Sequence, residues 1–410
     1  MPEADKVAAV RSLLPATRAG IYLNAGSLGP VPADAQHAMD EQAARELTVG
    51  RGHPSRWPDL LARLDETRAG VAAALVADPA DIALTHSTTD GINLVLATLP
   101  WRAGDRVLTT NHEHWGVLGP LVALRSRLGV EVDVVDVGAG DDDDRTVEAF
   151  TRALERPARA VVLSHALWTT GAVLPVGRVG SIARAAGAVT LVDGAQAAGA
   201  IPVILDDLDA DAYALPAQKW LLGPEGMGAL WVRRAFADAV VPAAAGYFSY
   251  ASPDLAAPVL HPGARRFEAT GYHAPSVAGF ARSLGWLSMY VGLPWAQARA
   301  IGLAQGLADR LASIPGVTVM TPRPVRGTLV TFRIGCWEAA EALAELGARS
   351  FAVMRDLPGL DALRCSVGFW NTGEELDRVA AVVELLARHT PATLPSRRLA
   401  VLGSDDEPIA

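Results

Sequence analysis

The chain has 410 residues, of which half are hydrophobic and 20% are charged, and its formal net charge is -9. A chain of this length exceeds the usual size of one hydrophobic core, so we expect a large and a smaller domain, with apolar surface left for a homo-oligomer. Because nucleic-acid binding needs a basic surface and this chain is acidic, the composition favours small-molecule partners over nucleic acid.

Signals of membrane insertion and export are missing from the sequence. No apolar run approaches about 18 to 20 residues, and the first residues, MPEADK, include two acids where a signal peptide has a basic start. Two cysteines, Cys336 and Cys365, are too few for a disulfide framework or a zinc set. We therefore predict a cytoplasmic protein with no membrane partner and no metal site.

Seven short apolar runs alternate with Ala-rich amphipathic stretches. The runs are 81–85, 106–109, 130–137, 160–163, 189–192, 211–215 and 228–232. Strands that alternate with helices predict an α/β fold with a mostly parallel, doubly wound sheet and helices on both faces. In such a sheet the functional site lies at the carboxyl ends of the strands.

The pattern changes in the last third of the chain. Longer helical stretches and a final helix at 374–388 predict a smaller α+β domain. We expect the large domain at 21–284 and the small domain at 285–395. Residues 1–20 are expected to pack on the small domain.

Three other segments carry expectations. The junction at 283–292 has no Pro/Ser-rich linker, so we expect one continuous helix between the domains. The acid run 141–144 predicts a solvated loop rather than a metal site. The aperiodic residues 396–410 predict a mobile tail or a strap over a neighbouring subunit.

Lys219 and Asp193 each follow an apolar run. Lys219 is flanked by Trp220 and leucines, and desolvation lowers an amine pKa in the way that a Schiff-base lysine requires. A half-exposed lysine that extends to solvent explains it equally well. A buried carboxylate such as Asp193 needs a cationic partner, for example a protonated pyridine nitrogen, although capping of the next helix is an equal alternative.

Hydroxyl and imidazole groups follow two further runs. Ser87, Thr88 and Thr89 open a helical stretch, where hydroxyls and free backbone N–H groups either bind a phosphate or cap the helix. His112 and His114 form a His-x-His pair that can bind a metal. Because no third ligand with suitable spacing accompanies the pair, an imidazole stacked on a flat ring is favoured.

Arg364 lies in an apolar run of the predicted small domain. A guanidinium group holds a carboxylate by paired hydrogen bonds, and that carboxylate belongs either to a substrate or to the protein itself. Further candidates with less support are Arg51, His53, Arg56, His165 and Trp168.

Five motifs, in this order, resemble the class V aminotransferase family of fold-type I pyridoxal-phosphate (PLP) enzymes. They are YLNAGSLGPVP from Tyr22, STTDGINLV from Ser87, VDGAQAAG from Val192, QKWLLGPEGMG from Gln218 and SVGFWNTGEELDR from Ser366. The family includes cysteine desulfurases, selenocysteine lyases and isopenicillin N epimerase-like proteins. The resemblance covers nearly the whole chain and implies a seven-stranded, mostly parallel sheet flanked by helices, with a small α+β C-terminal domain.

The resemblance also implies a role for each motif residue around PLP. Lys219 forms the Schiff base, Asp193 pairs with the pyridine nitrogen and His114 stacks on the ring. The other implied cofactor ligands are Gln196 at the phenolic oxygen, Ser87, Thr88, Thr89 and Gln218 around the phosphate, and Trp168 beside the ring.

The implied substrate site continues beyond the cofactor. Arg364 takes the substrate carboxylate, with Asn24, Ser27, His53 and Arg56 completing the predicted site. The family has a Gly-Thr pair that reaches the phosphate from the second subunit, and Ala269-Thr270 resembles it. A homodimer is therefore implied, with Thr270 reaching the neighbouring site.

This sequence also departs from the family pattern. Relatives commonly have Ser or Thr followed by His before the lysine, where this chain has Pro216-Ala-Gln-Lys, so Gln218 takes the place of the His. Trp168 lies where desulfurases tend to have a polar residue. The segment 347–361 has no cysteine to accept sulfur, and Cys365, next to Arg364 on a strand, should point to the opposite face.

These features predict an enzyme that removes the Cα proton of an amino acid, and we favour C–S bond cleavage of a cysteine-derived substrate. The alternatives are epimerisation, favoured by the motif at Asn24, transamination, and a decarboxylative or oxidative reaction of secondary metabolism. A non-catalytic PLP-fold binding protein predicts loss of Lys219 or Asp193, and both are present. A metal hydrolase built on His112 and His114 is the remaining alternative.

Overall fold

The structure is a computed structural model that describes residues 2–396. The tail predicted at 396–410 therefore lies outside the described residues except for Ser396. The helices are α1 (Glu3–Ser12), α2 (Ala16–Ala19), α3 (Ala33–Val49), α4 (Arg56–Leu75), α5 (Thr88–Thr98), α6 (Trp115–Leu128), α7 (Asp143–Ala153), α8 (Val176–Ala185), α9 (Arg234–Ala239), α10 (Ala274–Gly285), α11 (Leu293–Ala312), α12 (Ala339–Ser350) and α13 (Gly373–Ala387).

The strands follow the same chain order. They are β1 (Ile21–Tyr22), β2 (Ile82–Thr85), β3 (Arg106–Thr110), β4 (Glu131–Val135), β5 (Ala160–Ser164), β6 (Val189–Asp193), β7 (Ala212–Pro216), β8 (Gly228–Val232), β9 (Tyr250–Ser252), β10 (Val259–Leu260), β11 (Val317–Val319), β12 (Leu329–Ile334), β13 (Ala352–Val353), β14 (Arg355–Leu357) and β15 (Ala362–Ser366). Short 3₁₀ turns lie at Pro79–Asp81, Leu205–Leu208, Tyr247–Ser249, Gly263–Phe267 and Pro358–Leu360.

The large domain is built on a seven-stranded sheet with the order β2-β8-β7-β6-β5-β3-β4. Strand β8 runs antiparallel to both of its neighbours, and the other neighbouring pairs are parallel. Each strand coincides with one of the seven apolar runs, so the predicted mostly parallel sheet is confirmed.

Side chains of the central strands alternate between two apolar cores. In β5, Val161 and Leu163 pack with residues of α4, α7, α8 and α10, whereas Ala160 and Val162 face the side covered by α5 and α6. Burial on both faces explains the continuous apolar runs, since every residue of such a strand leaves water. Each fully buried Val or Leu contributes about 1.5–3 kcal/mol.

The small domain contains the antiparallel sheet β11-β12-β15-β14, packed against α11, α12 and α13. Strand β1 pairs with β13, and Ile21 and Leu23 lie in the apolar core of this domain. The expected boundary assigns these first residues to the large domain, whereas the structure groups them with the small one. In α1, Arg11 forms a 2.7 Å ion pair with Glu375 and donates to the Trp370 carbonyl at 2.8 Å.

The connection between the domains is helical but interrupted. Helix α10 continues as a π-helical turn over Trp286–Val291, and the chain then breaks at Gly292, where φ is +80°. Pro294 disfavours a helical conformation at the residue before it and lacks an N–H group, so a new helix starts here. The prediction of one continuous helix is therefore wrong at Gly292.

The acid run 141–144 begins a helix instead of forming only a loop. Asp142 caps α7 by accepting from the Arg145 N–H at 3.0 Å. Asp143 and Asp144, in the first turn, form ion pairs with Arg326 at 2.7 Å and Arg178 at 2.8 Å. Acidic groups complement the positive end of the helix dipole, which favours this start. None of the helices between residues 2 and 396 is long and apolar enough to cross a membrane.

Candidate active site

A cavity of about 650 Å³, including its open mouth, lies at the carboxyl ends of β5, β6 and β7 and at the N-termini of α5 and α6. This is the position that a parallel sheet favours for a site, because loops from several strands converge there. The lining residues are Ser87, Thr88, Thr89, His114, Gly116, Ser164, Ala166, Trp168, Asp193, Ala195, Gln196, Pro216, Gln218 and Lys219.

Lys219 and Asp193 are the oppositely charged groups of the cavity. Burial lowers the pKa of Lys219 to about 8, and the charges of Arg364 and Arg355 add to this effect, whereas Asp193 opposes it. Burial raises the pKa of Asp193, and one of its oxygens accepts from the Ala195 N–H at 2.8 Å. Within residues 2–396, no cationic side chain lies within ion-pair distance of Asp193. A buried carboxylate that has no cationic partner is suited to a cationic ligand.

His114 presents a neutral imidazole to the cavity. Its Nδ1 accepts from the Gly116 N–H at 3.0 Å, which assigns the ring hydrogen to Nε2. Burial lowers its pKa to about 4, with further contributions from Lys219 and the two arginines. The ring meets Trp168 edge to face, with 5.4 Å between centroids. An uncharged ring in this position is suited to stacking on a flat ligand.

The N-terminus of α5 forms the predicted anion site. Ser87 is its N-cap and accepts from the Asp90 N–H at 3.0 Å, and Thr88 is buried. Thr89 Oγ1 lies 2.7 Å from the point where Gly116 would carry a Cβ, so the glycine allows the starts of α5 and α6 to approach. Gln218 contributes a buried Oε1 that has no hydrogen-bond partner among the described residues. Free backbone N–H groups at a helix start bind phosphate well.

The N-terminal loop at 24–29 closes the site from the small-domain side. Gln196 donates from Nε2 to the Gly26 carbonyl at 2.8 Å. A Cβ on Gly26 would lie 2.7 Å from Ser366 Oγ and 2.9 Å from Arg364 Nη2, so a larger residue would displace these two side chains. Asn24 lies in the same loop with a buried Oδ1 that no described residue hydrogen-bonds. Residues distant in sequence thus meet at this loop.

Arg364 is buried with most of its hydrogen-bonding capacity unused. Its Nη1 donates to the Trp168 carbonyl at 2.9 Å, while its Nε and Nη2 have no partner in the described part of the chain. Burial lowers its pKa to about 9, and the charge of Arg355 adds to this effect. No carboxylate within residues 2–396 lies within ion-pair distance, so the alternative of an internal salt bridge is wrong. The free N–H groups match a carboxylate ligand.

Three predicted site residues lie elsewhere in their own chain. His53 is exposed and hydrogen-bonds to Ser55, and Arg56 is held by Glu46 at 3.2 Å. Thr270 is also exposed. The structure therefore does not place His53, Arg56 or Thr270 in the cavity of the same chain, because their segments pack on the surface of the large domain.

Several weaker candidates also have structural partners. His165 is buried and its Nδ1 lies 3.0 Å from the Tyr213 hydroxyl. Arg51 is exposed and lies 3.5 Å from Glu46. Both nitrogens of His112 are engaged, with Thr169 Oγ1 and the Gly138 carbonyl.

Sequence reasoning did not identify Arg355 and Glu113. Arg355 donates from Nη1 to Ser27 Oγ at 3.3 Å and lies opposite Arg364 in the pair β14–β15. It lies in the segment 347–361, where Asp356 follows it directly, so the sequence carried no signal that its charge is unpaired. Glu113 accepts from the Ser164 hydroxyl at 2.6 Å, and burial raises its pKa to about 7.

Both cysteines lie away from the cavity. Cys365 belongs to the apolar core of the small domain, and burial raises its pKa to about 12. It faces away from its neighbour Arg364, so the predicted alternation on β15 is confirmed. Cys336 is exposed beside the His389 carbonyl.

Comparison with known proteins identifies the family. The aminotransferase class-V family model matches residues 21–379. A probable cysteine desulfurase of Methanothermobacter thermautotrophicus is 28% identical over 396 residues, which cover 92% of this chain and 97% of that protein. Isopenicillin N epimerase of Streptomyces clavuligerus is 30% identical over 394 residues, with coverages of 89% and 94%.

A solved structure shares the fold. It is a C-DES variant in which alanine replaces a lysine and glycine is covalently linked to PLP, with a TM-score of 0.85, 25% identity, and coverages of 91% and 98%. Fold and site therefore define a fold-type I PLP-dependent enzyme. The chain belongs to the class-V aminotransferase family.

The residues present fit PLP as the cofactor. An unpaired buried carboxylate at Asp193 suits a pyridinium nitrogen, the neutral ring of His114 suits the pyridine face, and the start of α5 suits the phosphate. Lys219 has a lowered pKa and lines the same cavity. These four features line the same cavity, and together they match the nitrogen, the ring, the phosphate and the aldehyde of PLP.

Proposed function

We propose that this enzyme is a C–S lyase that cleaves a cysteine-derived amino acid and releases a thiol or persulfide. The observation that carries the proposal is the partly unpaired guanidinium of Arg364, which is bonded to the Trp168 carbonyl at the edge of a cavity that Lys219 lines and neither cysteine lines. Cysteine desulfurases among the relatives support sulfur chemistry. Without a thiol at the site to accept sulfur, the sulfur leaves on the group that the substrate brings.

Each residue has a defined task in this proposal. Arg364 binds the α-carboxylate through its free Nε and Nη2 hydrogens, which fixes the orientation of the Cα–H bond. Bound PLP supplies an electron sink for the pair of electrons left at Cα. Asp193 would hold the pyridine nitrogen in its protonated form, and His114 would lie against the ring.

Lys219 has two tasks, holding PLP and moving protons at its Nζ. Its lowered pKa increases the neutral share of the amine near physiological pH, and the neutral amine accepts the Cα proton and then gives a proton to the departing sulfur. The overall reaction takes an S-substituted cysteine and water and gives a thiol, pyruvate and ammonium. The electron pair of the Cβ–S bond leaves with sulfur, and no external oxidant or reductant is needed.

Epimerisation is the second candidate, because isopenicillin N epimerase is 30% identical over 89% of the chain. It uses the same Arg364, Lys219 and Asp193 but returns a proton to the opposite face of Cα. The two reactions therefore differ in product and not in the first proton transfer.

We further propose a homodimer in which Thr270 reaches the neighbouring site. Thr270 is exposed, and the adjacent Gly271 would place a Cβ 3.0 Å from the Tyr247 hydroxyl. Tyr247 in turn stacks on Trp57 at 6.1 Å, and both aromatic side chains are exposed. An exposed aromatic surface beside Thr270 is suited to a subunit interface.

The experiment combines a spectrum with product analysis. Purified protein with added PLP should absorb near about 410–430 nm, and Lys219→Ala should abolish that band while retaining the fold by circular dichroism. The holoenzyme is then incubated with cysteine, S-substituted cysteines and their sulfoxides, and pyruvate, ammonium and thiol are measured.

The lyase is supported if the wild-type enzyme forms equal amounts of pyruvate and thiol and the Lys219→Ala variant forms neither. Exchange of Cα–H in heavy water with inversion and no pyruvate would replace it with the epimerase. A protein that stays colourless with excess PLP would overturn the PLP chemistry itself.

A further inference from the structure

Arg355 and Arg364 lie opposite each other beside the cavity. They form a directly opposed pair in the antiparallel ladder β14–β15. Opposed residues project from the same face of a sheet, with Cβ atoms about 4.5–5.5 Å apart. The hydrogen bond from Arg355 to Ser27 places its guanidinium next to the loop that packs on Arg364 and Gln196.

Neither arginine has an acidic partner within residues 2–396. Arg355 donates from Nε only to the backbone carbonyl of Asp356, at 3.2 Å, and the Asp356 carboxylate is not within ion-pair distance. Like charges directly opposite each other on neighbouring strands are destabilising. The pair is therefore an unfavourable arrangement until an anion joins it.

The charge of Arg355 acts on the reacting groups. It contributes to the lowered pKa of both Lys219 and His114, as does the charge of Arg364. Lys219, Arg364 and Arg355 thus place three cationic groups in or beside the cavity, and Asp193 is the carboxylate that lines it. An amino acid with a single carboxylate neutralises the charge of Arg364 and leaves the charge of Arg355 without an anion.

We propose that Arg355 binds a second carboxylate at the far end of the substrate side chain, so that the enzyme selects dicarboxylic sulfur amino acids. This inference rests on the proposed function, since it names the substrate class of the same site. Suitable substrates are S-substituted cysteines whose sulfur substituent ends in a carboxylate, such as L-cystine or S-carboxymethylcysteine. Arg364 binds the α-carboxylate, and Arg355, half-buried and nearer the loop at Ser27, binds the distal one.

The first test measures binding without turnover. L-2-aminoadipate and L-norleucine have side chains of equal length that differ in the terminal carboxylate, and neither has a leaving group on Cβ. Their dissociation constants for the holoenzyme are measured by calorimetry and by the change in the cofactor spectrum. We expect aminoadipate to bind about 10- to 100-fold more tightly, as a charge-assisted hydrogen-bonded pair provides.

The second test assigns the difference to Arg355. Arg355→Gln should bring the ratio of the two dissociation constants close to one, because only aminoadipate has the carboxylate that Arg355 binds, and Arg355→Lys should restore part of the ratio. Arg333→Gln, on β12 of the same sheet and exposed, is the matched control and should retain the full preference. The same variants are compared by kcat/KM for S-carboxymethylcysteine against S-ethylcysteine.

Equal affinity of the wild-type enzyme for both ligands would overturn the inference without any variant. Equal weakening of both ligands by Arg355→Gln would also overturn it, because Arg355 would then only position the Ser27 loop. Pyruvate formation without preference for the charged side chain would overturn this inference and leave the lyase intact. An Arg355-dependent preference without pyruvate from any sulfur substrate would support the second carboxylate site and overturn the lyase.

Discussion

Replacing Arg364 with methionine should abolish catalysis and at the same time stabilise the fold. The guanidinium is 1% exposed, and two of its three nitrogens have no partner in the described chain. If both form charge-assisted hydrogen bonds with the substrate carboxylate, their loss removes about 3–6 kcal/mol. The expected decrease in kcat/KM is therefore about 10²- to 10⁴-fold.

The stability effect has the opposite sign because a buried unpaired charge destabilises the folded state. Burial lowers the pKa of Arg364 to about 9, which reflects this unfavourable environment. Methionine keeps the apolar stem and removes the charge, and the hydrogen bond lost at the Trp168 carbonyl is worth only about 1 kcal/mol. We expect the free energy of unfolding to rise by about 1–4 kcal/mol.

Denaturant unfolding at one protein concentration measures this change, and steady-state kinetics measures the loss of activity. Arg127→Met, at an exposed position of α6, is the control and should change stability by less than about 0.5 kcal/mol. An Arg364→Met variant that is less stable than the wild type, or that keeps kcat/KM within about tenfold of it, would refute the reasoning.

Three further predictions concern other residues of the site. Asp193→Asn should lower kcat by about 10²- to 10³-fold with an unchanged circular dichroism spectrum, and an unchanged kcat would contradict its role at the pyridine nitrogen. The pKa of Glu113 in the folded state is about 7, above the ordinary carboxyl value of 4.5, so the folded state binds more protons than the unfolded state between these pH values. The free energy of unfolding should therefore fall by up to about 3 kcal/mol as the pH rises from 4.5 to 7. Glu113→Gln should flatten that decline in denaturant unfolding from pH 4 to 8, and an unchanged slope would argue against it. Mixing inactive Lys219→Ala with Thr270→Ala subunits should produce dimers with one intact site, whose recovered activity supports the shared site, whereas no recovery would oppose it.

The seven apolar runs were sufficient to predict the large sheet. A strand that is buried on both faces has to be apolar at every position, and turn residues mark its ends. Such a strand can therefore be predicted from its local sequence alone. The polar residues at those strand ends, Asp193 and Lys219, were therefore also visible. The helix break at Gly292 was missed because the apolar pattern continues through it, although Pro294 was a local signal.

Contacts between distant segments were not visible in the sequence. Gly26 lies against Arg364 and Gln196, residues that are far from it in the sequence, and the loop at Ser27 also receives the hydrogen bond from Arg355. Single-sequence patterns carry no information on such pairings, because the same residues satisfy many alternative neighbours. For the same reason His53 and Arg56 were assigned to a cavity from which their own chain keeps them apart.

The sequence by itself determined the α/β architecture and, through its motifs, the PLP family and the lysine and aspartate at its centre. Those features depend on local periodicity and on residues next to strand ends. Only the tertiary structure decided that Arg364 has no acidic partner among residues 2–396, and that the loop at Gly26 and Ser27 lies against Arg364 and Arg355. The charge balance of a site depends on which groups meet across the fold, and long-range packing alone brings them together.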